Sequence, residues 1–252
     1  MTLITFKYLL TNGFQLIKKD PIVLSPLLIY GTTKNIFFNI FQDALTKIIE
    51  NINEHILLLC LLSAFIWISG LLFTGFSTAI MIRLHQKKDV EMTHHFQHVS
   101  RQFLTIVMGN FPVLIPIILL GLKYAFFDMG GASPSGVLGL VNQLVTLFLI
   151  IVMVSLYVYL IFVTLIILNG TNHWLSSIEQ SVIVVKSNMR AILTLLLTIM
   201  TIFTTSMMLQ SMFFPLPYLG NLMQIVIEGC FRTLNLAMIT VFFFSVWKKK
   251  KV

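Results

Sequence analysis

Residues 56–82 read ILLLCLLSAFIWISGLLFTGFSTAIMI, and the next six are Arg83-Leu84-His85-Gln86-Lys87-Lys88. The run carries no formal charge, and an apolar stretch of more than about 18 residues reads as a membrane-spanning helix. As a helix it would be about 40 Å long, against a hydrocarbon core of about 30 Å. The basic run behind it is the kind of signal that fixes a span's orientation. Working outward, five more apolar stretches read as spans: Pro21–Phe41, Phe111–Phe127, Val137–Leu168, Met189–Met212 and Leu222–Trp247. The first is the weakest, because Lys34 and Asn35 interrupt it. The fourth, taken as one helix, would be about 48 Å long and must tilt or protrude.

Composition agrees. The chain has 252 residues, 57% of them apolar and 10% charged, and a mean hydropathy of +0.93. A soluble domain runs nearer 45–50% apolar and about 25% charged. These figures exclude a disordered chain, a disulfide scaffold, a coiled coil and a separate soluble catalytic domain. The expected fold is therefore all-α: a single polytopic domain over residues 1–252, with six transmembrane helices arranged as three hairpins. The net charge of +8 raises the question of nucleic acid. The basic residues, however, sit in short clusters between apolar runs, which is the pattern of membrane orientation, and no nucleic-acid partner is expected. The first apolar run, Ile22–Tyr30, is followed by Gly31-Thr32-Thr33-Lys34 instead of a small-x-small site, so no cleavable signal is expected.

Orientation follows from the lysines and arginines. The N-terminal segment, residues 83–101, residues 186–190 and the tail hold thirteen of the seventeen. The opposite side holds Lys34, Lys47 and Lys123, and Arg232 lies within a span. Both termini are thus expected in the cytoplasm, with an anionic lipid surface in contact with Lys18, Lys19, Lys87, Lys88, Arg101, Lys186, Arg190, Lys248 and Lys249.

Three amphipathic stretches precede the three hairpins. Their expected apolar stripes are Leu3, Phe6, Leu10, Phe14 and Ile17; Met92, Phe96, Val99, Phe103 and Val107; and Trp174, Ile178, Val182 and Val185. Each stretch ends in a polar break: Lys19-Asp20-Pro21, Gly109-Asn110-Phe111 and Ser187-Asn188-Met189. Asp20, Asn110 and Asn188 are suited to cap the following helix. Three internal units result, 1–82, 83–168 and 169–252, in which Pro26 and Pro116 each stand six residues after the cap while Thr194 takes that place in the third.

Two stretches carry a resemblance: Phe14-Gln15-Leu16-Ile17-Lys18-Lys19-Asp20-Pro21-Ile22-Val23-Leu24-Ser25-Pro26, and Trp174-Leu175-Ser176-Ser177-Ile178-Glu179-Gln180-Ser181 with Val185-Lys186-Ser187-Asn188 after it. With the layout around them they resemble a loose group of bacterial six-span inner-membrane proteins, related to the membrane domain of some glycerophosphodiester phosphodiesterases. The resemblance implies a bacterial cytoplasmic membrane and a six-helix domain. No phosphodiesterase domain is present, so that activity is not carried over.

Few residues suggest chemistry. Glu228 and Arg232 share one face of the last span, with the acid on the favourable N-terminal side. Gln224 and Asn235 fall near the same face and extend a polar stripe. The group reads either as a structural pair near the outer boundary or as part of a solute path. His94 and His98 are one turn apart and are the weak candidates for a metal, but a zincin pattern would need a glutamate where His95 stands. Gly75 and Ala79 form a small-x-x-x-small helix contact. Cys60 and Cys230 both lie in apolar segments, and they could pair only if their helices touch. No nucleophile elbow, phosphate loop or paired acids can be read, and no cofactor is called for. The expectation is a non-enzymatic membrane component acting in envelope or lipid organisation, or a partner-binding membrane domain that binds another membrane protein or a second copy. The alternative is a small-solute or lipid transporter or channel built on the Glu228–Arg232 pair.

Overall fold

A computed structural model describes residues 4–42, 46, 52–88, 91–123, 137–171, 173–213 and 219–247. The chain is all-α: α1 (Phe6–Lys19), a 3-10 turn (Pro21–Leu24), α2 (Ser25–Ile40), α3 (Ile52–His85), α4 (Met92–Lys123), α5 (Val137–Leu160), α6 (Val163–Leu168), α7 (Trp174–Ser187), α8 (Met189–Phe213) and α9 (Leu219–Trp247). Among the described residues, five helical stretches are long and apolar enough to cross a membrane: Leu61–His85, Met92–Leu120, Gly139–Leu168, Met189–Phe213 and Gly220–Trp247. The protein is a multi-span integral membrane protein. The helix at the first expected span, α2, has 16 residues and falls short of that length. Gly130–Gly136 and Pro215–Pro217, whose glycines and prolines suit turns between spans, and the tail lysines Lys248 and Lys249 lie outside the described residues.

The last helix, α9, is the axis of the bundle. Helices α1, α2, α3 and α8 all pack on it. Its C-terminal end is aromatic: Phe162, fully buried, lies parallel to Phe242 at 5.7 Å and against Phe243 at 5.6 Å, and Trp247 stacks on Phe243 at 4.8 Å. This packing sits where the fourth expected span departs from a single helix. The chain turns at Ile161-Phe162, between α5 and α6, with no glycine or proline there. The outward faces are apolar as well. Leu140, Leu144, Phe148 and Ile151 on α5, and Leu193, Leu197, Met200 and Met207 on α8, are all exposed at helical spacing. An apolar surface of that extent suits hydrocarbon and not water.

The three amphipathic stretches differ from their expected form. The buried face of α1 is Leu9, Gly13 and Leu16, while Phe6 and Phe14 are exposed. The helix is apolar on two sides, one against α9 and one facing outward. On α7 the buried face is Ser177, Ser181, Val184 and Val185. Small serines permit close approach, and Ser181 Oγ donates to the Tyr159 carbonyl at 2.7 Å. The middle stretch is not a separate helix: α4 runs unbroken from Met92 to Lys123 through the expected break, with Pro112 and Pro116 inside it.

The caps divide accordingly. Asp20 Oδ1 accepts from the Ile22 N–H at 3.0 Å, as expected of a cap. Asn110 instead donates to the Ile106 carbonyl at 2.8 Å and to Thr164 Oγ1 at 3.1 Å. Asn188 likewise donates back, to the Val184 carbonyl at 2.9 Å. An amide has a donor that a carboxylate lacks, and the preceding turn's carbonyl takes it. At the same place Gly109 fixes the crossing of α4 and α6, since a Cβ there would stand 2.6 Å from Val163 Cγ1 and 3.3 Å from Ile167 Cδ1. The expected contact of Gly75 and Ala79 is made against α4: a Cβ on Gly75 would meet Val99 Cγ1 at 3.3 Å, and Ala79 is buried.

Val163 is β-branched and cannot swing aside, so overpacking at Gly109 has a definite cost. Gly109→Val should destabilise the purified protein by about 1–3 kcal/mol. Leu104→Ala, on the exposed face of the same helix, should fall within about 0.5 kcal/mol of the parent. Equal losses in a thermal or denaturant melt would show that the α4–α6 crossing is not so close.

Candidate functional site

The crossing of α2 and α9 gathers Lys34, Glu228 and Arg232. It is close because Gly229 faces Leu28, where a Cβ would come 2.6 Å from Leu28 Cδ2, and Gly31 faces Ile225. That approach brings Lys34 over Glu228, with Nζ 3.0 Å from Oε1 and 3.2 Å from Oε2. Arg232 Nη2 reaches the same Oε1 at 2.6 Å. The arginine carbon also stands 5.9 Å from the centre of the Tyr30 ring. Tyr30, itself buried, donates its hydroxyl to the Ile66 carbonyl at 3.2 Å, tying α3 to the cluster.

The side chains of Lys34 and Glu228 are 27% and 26% exposed and that of Arg232 is 48% exposed. One carboxylate thus serves two cations in a setting that is neither dry nor open. Lys34, which weakened the first expected span, is the partner that the sequence reading missed. The available signal was an unpaired lysine in an apolar stretch on the same side as Glu228. Gln224 and Asn235 share the helix face, but the structure joins neither to the three charges. Asn235 Oδ1 is buried without a hydrogen-bond partner.

The opposite end of the bundle is basic. Several contacts bring its segments together: His85 stacks on Phe244 at 4.5 Å, Tyr8 and Ser245 hydroxyls meet at 3.2 Å, and His98 Nε2 lies 3.3 Å from the Leu168 carbonyl. Lys18, Lys19, Lys87, Lys88, Arg101, Lys186 and Arg190 are all exposed on these segments. Glu228 and Trp247 are nineteen residues apart on α9, which separates the triad from this end by about 28 Å.

Two adjoining cavities open at the basic end. One, of about 320 Å³, is lined by Arg83, Lys88, His94, His95 and His98 with the end of α6; the other, of about 510 Å³, by Arg83, Lys87, Lys88, Glu91, His94 and His95. A third, of about 150 Å³, lies within the bundle and presents Thr74, Thr78, Asn110 and Thr240 among apolar walls. Neither Glu228 nor Arg232 lines any of the three. His94 and His98 share the first cavity, but among the described residues no three His, Cys, Asp or Glu side chains converge to hold a metal. Cys230 is a free, partly buried thiol, and the Cys60 side chain lies outside the described residues. No family model, no curated protein and no solved structure matches this chain.

The triad predicts unequal costs for its members. Glu228→Gln leaves two cations facing each other and should destabilise by about 1–3 kcal/mol, held below the fully buried figure by solvent access. Lys34→Met leaves Glu228 its arginine and should cost less. A double-mutant cycle between the two should return a coupling of about 0.5–2 kcal/mol. Additive losses in detergent melts would mean that the 3.0 Å contact contributes nothing measurable.

Proposed function

We propose that this protein is a non-enzymatic component of a bacterial cytoplasmic membrane that organises anionic lipid or holds a partner at the cytoplasmic face. The observation that carries the reading is the segregation of charge along the bundle. Seven exposed cations stand at one end, on segments packed together, while Lys34 and Arg232, toward the other end, share Glu228. Each basic side chain near an anionic surface contributes about 1 kcal/mol of attraction. The exposed Phe6 and Phe14 of α1 supply apolar contact beside Lys18 and Lys19, as in a helix lying at a membrane interface.

In this reading the chain crosses six times, with both termini cytoplasmic. The 3-10 turn adds about 8 Å to the roughly 24 Å of α2, which together match a hydrocarbon core of about 30 Å. Lys34 and its ion pair then sit toward the outer interface, where long cations reach water. Joined to Lys34 and Tyr30, Glu228 and Arg232 serve as a clamp between helices, which favours this role over a conducting path.

Stability in nanodiscs tests the lipid reading. Replacing part of the phosphatidylcholine with phosphatidylglycerol should raise the melting temperature. Neutralising Lys18, Lys19, Lys186 and Arg190 to glutamine should remove most of that rise. Melting that ignores both changes would overturn it. Reporters fused to the two ends should both read as cytoplasmic, and opposite faces would overturn the six-crossing arrangement.

A further inference from the structure

We propose that the cleft between the last turn of α3 and the first turns of α4 is a binding site for a phosphate group. It requires the multi-span fold but not the lipid-organising role. The two cavities at this end share Arg83, Lys88, His94 and His95, and their volumes of about 320 and 510 Å³ lie in the range of small-molecule sites. The wall of the larger carries three permanent cations, Arg83, Lys87 and Lys88, and among the described residues one carboxylate, Glu91. That excess calls for a multiply charged anion. A phosphate supplies two charges and several acceptor oxygens, suited to a guanidinium fork and lysine ammonium groups. The carbonyl ends of α3 and α6 oppose an anion here, and the cations on the wall outweigh them.

Two further observations bear on the same cleft. His95, which walls both cavities, is 3% exposed and buries Nε2 with no hydrogen-bond partner. Such a group is costly to bury unpaired, and in the tautomer protonated at Nε2 a ligand oxygen is the acceptor it lacks. Lys87 closes α3 in a left-handed conformation, φ 57°, as its N–H meets the Leu84 carbonyl and that of Lys88 meets the Arg83 carbonyl. The neighbouring closure of α6 has the same pattern and uses Gly170, φ 118°. Where the backbone favours glycine, this chain keeps a cation on the cleft.

The oxygens could belong to a free phosphate or to a phosphomonoester lipid headgroup. Full-length protein in phosphatidylcholine nanodiscs would be titrated with inorganic phosphate up to about 10 mM, against chloride at matched ionic strength, with melting temperature and calorimetry as readouts. A parallel series would incorporate phosphatidic acid. Saturable binding of inorganic phosphate identifies a soluble ligand, whereas a response to phosphatidic acid beyond that to phosphatidylglycerol at equal charge, without one to inorganic phosphate, identifies the headgroup. In either case Arg83→Gln with Lys88→Gln should weaken binding about tenfold or more. If that pair does not fold, the exposed pair Lys87→Gln with Lys88→Gln makes the same test. Lys18→Gln with Lys19→Gln should leave the titration with inorganic phosphate unchanged. No response to either probe, binding undiminished in the cleft variants, or an equal loss in the Lys18 and Lys19 variant would each overturn the proposal.

Discussion

The burial of α9 on several sides at once is the constraint on which the remaining structure depends. More than half of its span, 56%, is buried inside the protein, against 22–39% for the other four. In hydrocarbon there is no solvent gain from packing apolar side chains together, so helices associate through close fit and polar contacts. Along α9 both occur. Gly229 admits Leu28, Gly13 of α1 approaches Met238 to within a side-chain contact, and the Phe242–Phe243 pair receives Phe162. Glu228 adds an ionic clamp that reaches a distant segment, Lys34 being 194 residues away in sequence.

The same axis accounts for the division of charge. Between Arg232 and Trp247, α9 offers Thr233 and Thr240 as buried polar side chains, and both return their hydroxyl protons to carbonyls four residues back, Gly229 and Leu236. Asn235 stands among them with its Oδ1 unpaired. No charge falls in this middle stretch, so the ionic groups are confined to the two ends. Toward the start of α9, Lys34, Glu228 and Arg232 are joined to one another. At its other end the basic residues are exposed, because the helices α1, α3, α7 and α8 begin or finish there with them.

How much of this was legible in the sequence depends on the range of the interaction. The spans at α3, α8 and α9 follow from apolar run length alone, and their ends fall within a few residues of Ile56–Ile82, Met189–Met212 and Leu222–Trp247. Amphipathic stripes were less legible. The usual rule assumes that one face is apolar because one face is buried, whereas α1 has lipid as a second apolar neighbour and exposes Phe6 and Phe14. The Gly109-Asn110-Phe111 break suggested a helix boundary, yet α4 runs through it and through Pro112, as a membrane helix tolerates proline when neighbours satisfy the freed groups. The Asn110–Thr164 bond helps to hold this region. The break at Ile161-Phe162 has no local signal at all, since it coincides with an aromatic contact made eighty residues later in the chain.

The site residues divide by the same logic. Glu228 and Arg232 were visible because they are four apart on one helix, while Lys34 was not, because the pairing is tertiary. The histidines were visible as a cluster but not as a wall, since His95 acquires its role only when the end of α3 folds back across the first turn of α4. That reversal is made by a left-handed lysine where a glycine would be cheaper for the backbone. A chain that needed only a tight turn there would gain by having glycine, as it does at Gly170. Lys87 therefore places a charge on the cleft wall at a closure whose counterpart on α6, Gly170, places none.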